Sequence, residues 1–210
     1  MDVFYRRISQ SKKIVVRGKK YFLKEFDHRA SQYLVMAQLS LYITVLICVL
    51  IKPSGLAAND GVSFYGGHIS TVTPYIIGLM VSAYLTYMAG YDLSNKYPFL
   101  LIKLALFGIA ILILGIIVTP FDASRVVANT HELIGIILFS IEFLITGLLV
   151  FINLTITNFF LLIGQIMGGL IAYYYLNPAQ GFLLQGELIF EVFFGIILIK
   201  NVQYLLSSTQ

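Results

Sequence analysis

Long runs of apolar residues, each near the length that crosses a bilayer, constrain this chain more than any other feature. They extend from Tyr33 to Ile51, Pro74 to Gly90, Pro98 to Val118, His131 to Ile152, Asn158 to Leu176 and Leu184 to Leu206. At 1.5 Å of rise per residue, about 20 helical residues span the hydrocarbon core. Only helices and closed barrels satisfy their own backbone groups in lipid, and unbroken apolar runs lack the alternation of barrel strands. The expected fold is an all-α integral membrane protein, a bundle of six transmembrane helices. Composition argues against a soluble globule: with 59% hydrophobic and 11% charged residues, the chain has too little polar surface to cover one.

Basic residues set the expected orientation. Nine of the fourteen Lys and Arg fall within the first 31 residues, which holds the N-terminus in the cytoplasm. Six spans then return the C-terminus to the same side, and the plasma membrane is the expected location. Residues 1–32 read as a basic amphipathic segment, 33–206 as the transmembrane domain and 207–210 as a short tail. Phe4, Tyr5, Tyr21 and Phe26 interleave with the charges of the head, as in a segment lying on an anionic leaflet. Membrane lipid is the expected partner, and nucleic acid is not; homo-oligomerisation is a further option.

Polar residues inside the runs are the candidates for a site. Glu142 lies eleven residues into the fourth run, near the midplane, where a charged group costs roughly 2.5 to 3.5 kcal/mol. It needs a partner, a wet cavity or a proton. Lys103 and Gln165 sit at depths that make them its expected partners. Glu187 and Glu191, four apart, share one face of the sixth helix. With Tyr65 of the first outer loop, these residues form the expected ligand site.

A metal centre is the rival use of the outer ends. His68, Asp122, His131 and Glu187 offer nitrogen and oxygen ligands, although no HExxH spacing is present. The sequence leaves the cofactor unknown. Asn129 and Glu132 have the spacing of an N-cap and third helical residue, which predicts that the fourth helix begins there. "GVSFYGGHIS" reads as a cap over the bundle mouth and lacks the GxxxxGK[ST] pattern of a phosphate loop. Gly164 and Gly168 form a small-xxx-small pair. Di-haem cytochromes need four membrane His, whereas this chain has three His in all. Rhomboid-type proteolysis needs a GxSx nucleophile and a membrane His, and neither is read here.

"GVSFYGG" before the second run, then "LGIIVTPFD" leading into "NTHELIGIILFSIEFLITG", resembles the outer-loop pattern of small six-span prokaryotic membrane proteins. These are families of unknown function distantly related to the damage-regulated autophagy modulators. The resemblance covers the second to fourth runs and implies six spans, both termini inside and no established catalytic activity. Gly66, Pro120, Asp122 and His131 would be the family-like positions; Phe121 intervenes where the pattern sets an acidic residue directly after Pro.

Three functions follow as expectations. The first is a non-enzymatic multi-pass protein that binds or passes a small ligand, ion or lipid through a polar site in the bundle and outer loops. The second is a metal-dependent lipid hydrolase at the outer face. The third is a structural scaffold with an exposed seam around Gly164 and Gly168.

Overall fold

The computed structural model describes residues 29–58, 60–121, 123–175 and 181–208. The basic head, Asp122 and the last two residues lie outside them. Six α-helices run through the described residues: α1 Arg29–Ile51, α2 Val72–Asp92, α3 Phe99–Val118, α4 Arg125–Ile152, α5 Ile156–Tyr175 and α6 Leu183–Ser208. Two short 3-10 segments, Pro53–Ala57 and Gly61–Gly67, join α1 to α2. α1 to α5 are long and apolar enough to cross a membrane.

The helix limits follow local chemistry. Pro53 at the start of the first 3-10 segment supplies no amide hydrogen to continue α1. α4 begins a turn and a half before the expected His131. Its N-cap is Ser124, whose hydroxyl accepts the Val127 amide at 3.3 Å, so Asn129 and Glu132 lie inside the helix rather than at its start. At 28 residues, α4 is about 42 Å long.

α1 to α4 form a meander in which each helix packs on the next, and α5 and α6 form a hairpin laid against it. α6 touches α5, α4, α1 and both 3-10 segments, which makes it the central strut. The loop end of the bundle carries the 3-10 segments, residues 119–121 and 123–124 between α3 and α4, and the start of α6; the far end carries the turns at 93–98 and 153–155. Close approach rests on small residues. A Cβ at Gly78 would overlap the Thr44 side chain, and one at Gly168 or Gly186 would meet the backbone of Phe190 or Ala172. Gly164 likewise packs on Phe193. The Gly164 and Gly168 pair is therefore the α5–α6 joint and not an exposed seam.

Outward surfaces are apolar. Leu50, Ile111, Leu144 and Phe151 are 72%, 68%, 70% and 81% exposed, which suits lipid and would not suit water. The helices and their apolar faces together define an integral membrane protein. At the far end, polar side chains are closed into a knot. Asn201 Oδ1 accepts from Asn153 Nδ2 at 2.8 Å and from Asn158 Nδ2 at 2.9 Å, while Asn201 Nδ2 donates to the Ile197 carbonyl at 2.8 Å. Lys200 Nζ donates to Asn158 Oδ1 at 2.8 Å.

Candidate functional site

A cavity of about 820 Å³ lies within the bundle. Its walls are mostly aliphatic and aromatic, and Glu142, Glu187 and Glu191 all line it. On α4 the lining residues are His131, Glu132, Gly135, Ile136, Leu138, Phe139, Ser140, Glu142 and Phe143; on α5 they are Ile166, Gly169, Leu170, Ala172 and Tyr173. Several of these, including Ile136, Phe143, Leu170 and Tyr173, are also exposed on the outside of the bundle. The cavity thus opens sideways between α4 and α5. Thr146 donates to Gln165 Oε1 at 2.8 Å, and every lining residue of these two helices lies on the loop-end side of that bond. Gln165 closes the gap between the helices rather than joining Glu142.

Glu142 is 2% exposed, its carboxyl is in hydrogen-bonding contact with Glu191, and its Oε2 has no partner among the described residues. Two carboxyls in such contact hold a proton or a cation between them, because two bare negative charges repel at that distance. The Tyr42 hydroxyl, within electrostatic reach of both, and Gln38 Oε1 also lack partners among the described residues. Lys103 is not part of this group. Its ammonium turns to the far end, donating to the Leu93 carbonyl at 3.3 Å and to Asn95 Oδ1 at 3.0 Å. A long cationic side chain reaches for the polar end of its helix when it can.

The loop end caps the cavity. Glu187 Oε2 accepts the Val62 amide at 2.8 Å. Gly61 makes this approach feasible: its φ is +58°, and a Cβ there would collide with the Glu187 carboxylate. Gln185 Nε2 donates to the Leu56 carbonyl at 2.8 Å, so α6 holds both 3-10 segments. Tyr65 lies in the packing beneath this cap, fully buried against Gly55 and Phe64, and does not line the cavity. Burial pushes its phenol above the ordinary range, with Cys48 adding to the effect.

The expected metal ligands do not converge. Among the described residues, no three His, Cys, Asp or Glu side chains come together to hold a metal, and Asp122 lies outside those residues. His68 Nδ1 bonds the Phe64 carbonyl at 2.7 Å and its ring packs on Phe64. Glu187 is taken by Val62. His131, 7% exposed, uses both nitrogens: Nδ1 meets the Thr119 carbonyl at 2.6 Å and Nε2 meets Ser63 Oγ at 2.6 Å. A carbonyl only accepts, so Nδ1 carries a proton, and in the neutral ring Nε2 then accepts from the serine.

Ser63 is the residue that sequence reasoning missed. It stands in "GVSF", residues 61 to 64, which does have the GxSx pattern set aside above, and its histidine sits at the loop end of α4. Ser63 and His131 border the large cavity and also a second chamber of about 140 Å³. Tyr75 lines both as well, its hydroxyl in hydrogen-bonding contact with Ser63. No protein family, curated protein or solved structure matches the chain; the site is defined by its own geometry, in an all-helical membrane protein with a side-opening, acid-lined cavity.

Proposed function

We propose that this chain is a six-span protein of the plasma membrane, with both termini cytoplasmic, that binds a small amphiphile, a lipid or lipid-like molecule, inside its bundle. α6 would be the sixth span, 26 residues long and central to the packing. The observation that carries the reading is a cavity of about 820 Å³ that runs from a mouth between α4 and α5 to the Glu142 and Glu191 carboxyls. Apolar walls with a few convergent polar groups suit a molecule with a hydrocarbon body and one polar end. The acidic lining favours a cationic or hydrogen-bond-donating head, and the sideways mouth allows loading from the bilayer. The metal-dependent hydrolase has less support, since His68 and His131 turn to different partners.

The test is photo-crosslinking in proteoliposomes with phosphatidylcholine that bears a diazirine in one acyl chain. Adducts should map to Phe139, Phe143, Leu170 and Tyr173, and should vanish in Gly135→Trp. Gly135 lines the cavity and a Cβ there meets nothing within 4 Å, so a side chain can leave the helix at this point, and the indole is expected to block the mouth. Labelling confined to outer faces such as Leu50 and Phe151, unchanged by Gly135→Trp, would sink the proposal.

A further inference from the structure

We propose that Ser63 and His131 form a nucleophile and base that cleave the carboxylic ester of a lipid lying in the cavity; the choice of substrate rests on the binding reading above. A serine is activated when an imidazole accepts its proton and a third group fixes that imidazole. All three parts are present. Ser63 Oγ lies 2.6 Å from His131 Nε2, and the Thr119 carbonyl, 2.6 Å from Nδ1, fixes both the tautomer and the ring plane. The parts come from separate elements, the second 3-10 segment, the start of α4 and the end of α3, so no local turn preference explains their meeting.

The surroundings divide the reactants. The pair borders both the apolar cavity that opens to the bilayer and the chamber of about 140 Å³, whose mostly apolar walls carry Ser63, Tyr75 and His131 as their polar side chains. That volume has room for water, and these three side chains supply the polar partners that one would need beside the pair. The Tyr75 hydroxyl, beside Ser63, is placed to donate to an oxygen that gains negative charge near the nucleophile. Ser63 lies on a cap held by Glu187 and by Gly61, which gives the nucleophile a fixed position rather than a free loop.

The reaction balances with water as the only co-reactant. Ser63 Oγ bonds to the ester carbonyl carbon while its proton passes to His131 Nε2. The carbon–alkoxy bond then breaks, and the departing alcohol takes that proton. Water attacks the acyl-serine, giving its proton to Nε2, and Ser63 Oγ leaves with it. Ester and water become acid and alcohol, and the pair is restored.

The experiment uses the full chain in mild detergent with a short alkyl fluorophosphonate, read by intact mass and peptide mapping. One adduct per chain is expected, on Ser63, and none in Ser63→Ala. His131→Asn is the more telling variant, because its amide can still donate to the Thr119 carbonyl and hold the fold while lacking the base. Its labelling should slow by about 100-fold. A folded protein, judged by its melting in the same detergent, that gives no adduct overturns the proposal. So does an adduct elsewhere, or labelling of Ser63 at an unchanged rate in His131→Asn. Because the probe is small and soluble, it tests the pair independently of lipid loading. Crosslinking without Ser63 labelling removes the hydrolase alone, and Ser63 labelling without crosslinking removes the lipid cavity alone.

Discussion

The asparagine knot at the far end and the carboxyl cavity toward the loop end both place polar side chains inside an apolar bundle, and they are built in opposite ways. In the knot, Asn201 has a partner for both its oxygen and its nitrogen, and Lys200 takes the remaining Asn158 oxygen. In the cavity, Glu142 Oε2 and Gln38 Oε1 lack partners among the described residues, as does the neighbouring Tyr42 hydroxyl. A closed network stabilises and specifies packing; an open one costs stability unless something else supplies the missing bonds. The contrast separates polar residues that hold the bundle together from polar residues that await a ligand.

The strongest way to break this distinction is at the knot. Asn201→Ala removes the shared acceptor and leaves the half-buried Asn153 Nδ2 without it, where a fully buried group left unpaired costs about 1 to 3 kcal/mol. A loss of about 1 to 3 kcal/mol is expected, read from reversible unfolding in mixed micelles, with amphiphile crosslinking retained at temperatures where the protein stays folded. A loss below about 0.5 kcal/mol would mean that the knot is not structural.

Next in size is Gly61→Ala. The left-handed backbone costs roughly 1 to 2 kcal/mol for a residue with a Cβ, and the new methyl displaces the Glu187 carboxylate from Val62. Both the melting temperature and the crosslinking yield should fall. Wild-type melting in this variant would show that the cap does not depend on the Gly61 turn.

Glu142→Gln sharpens the comparison from the other side. Its stability should stay within about 1 kcal/mol of wild type, since no fully satisfied network is broken. Crosslinking of a cationic amphiphile should fall about tenfold, equivalent to roughly 1.4 kcal/mol of binding. If Glu142→Gln unfolds the protein as readily as Asn201→Ala, the two regions are alike and the cavity reading loses its basis.

The smallest effect is assigned to Tyr65→Phe. The buried hydroxyl has no partner among the described residues, so its removal should change stability by less than about 0.5 kcal/mol at neutral pH. Burial raises the phenol pKa in the fold, which favours the neutral form there. Its contribution is therefore whole below the ordinary tyrosine value of about 10 and is lost as pH rises from there through the higher value in the fold. Unfolding curves should show the wild type losing more stability than Tyr65→Phe above that pH.

Particular residues show how much was legible beforehand. Glu142 and the Glu187 and Glu191 pair stand out because a carboxylate inside an apolar run is costly wherever it points, and all three line the cavity. Lys103 matched Glu142 in depth, yet depth along a helix says nothing about which way a side chain turns, and Lys103 turns to Asn95. Gln165 was read as a companion of Glu142 and instead bonds Thr146, one turn along. Ser63 went unnoticed because a serine in a glycine-flanked loop is ordinary until a histidine 68 residues away meets it. Asn153, Asn158 and Asn201 carried no signal for the same reason.

By itself the sequence determined the helices and their solvent. Hydropathy summed over some twenty residues is a property of one stretch of chain, and in lipid the backbone has no alternative to bonding within that stretch. Tertiary structure alone decided which polar groups are closed and which are open. That depends on how far each helix is rotated and how near its neighbour lies, and both are set by contacts between distant residues, such as Gly168 on Phe190 and Gly78 on Thr44. The same sparse packing that lets α4 and α5 part beyond Thr146 made the cavity, and no local pattern in either helix encodes it.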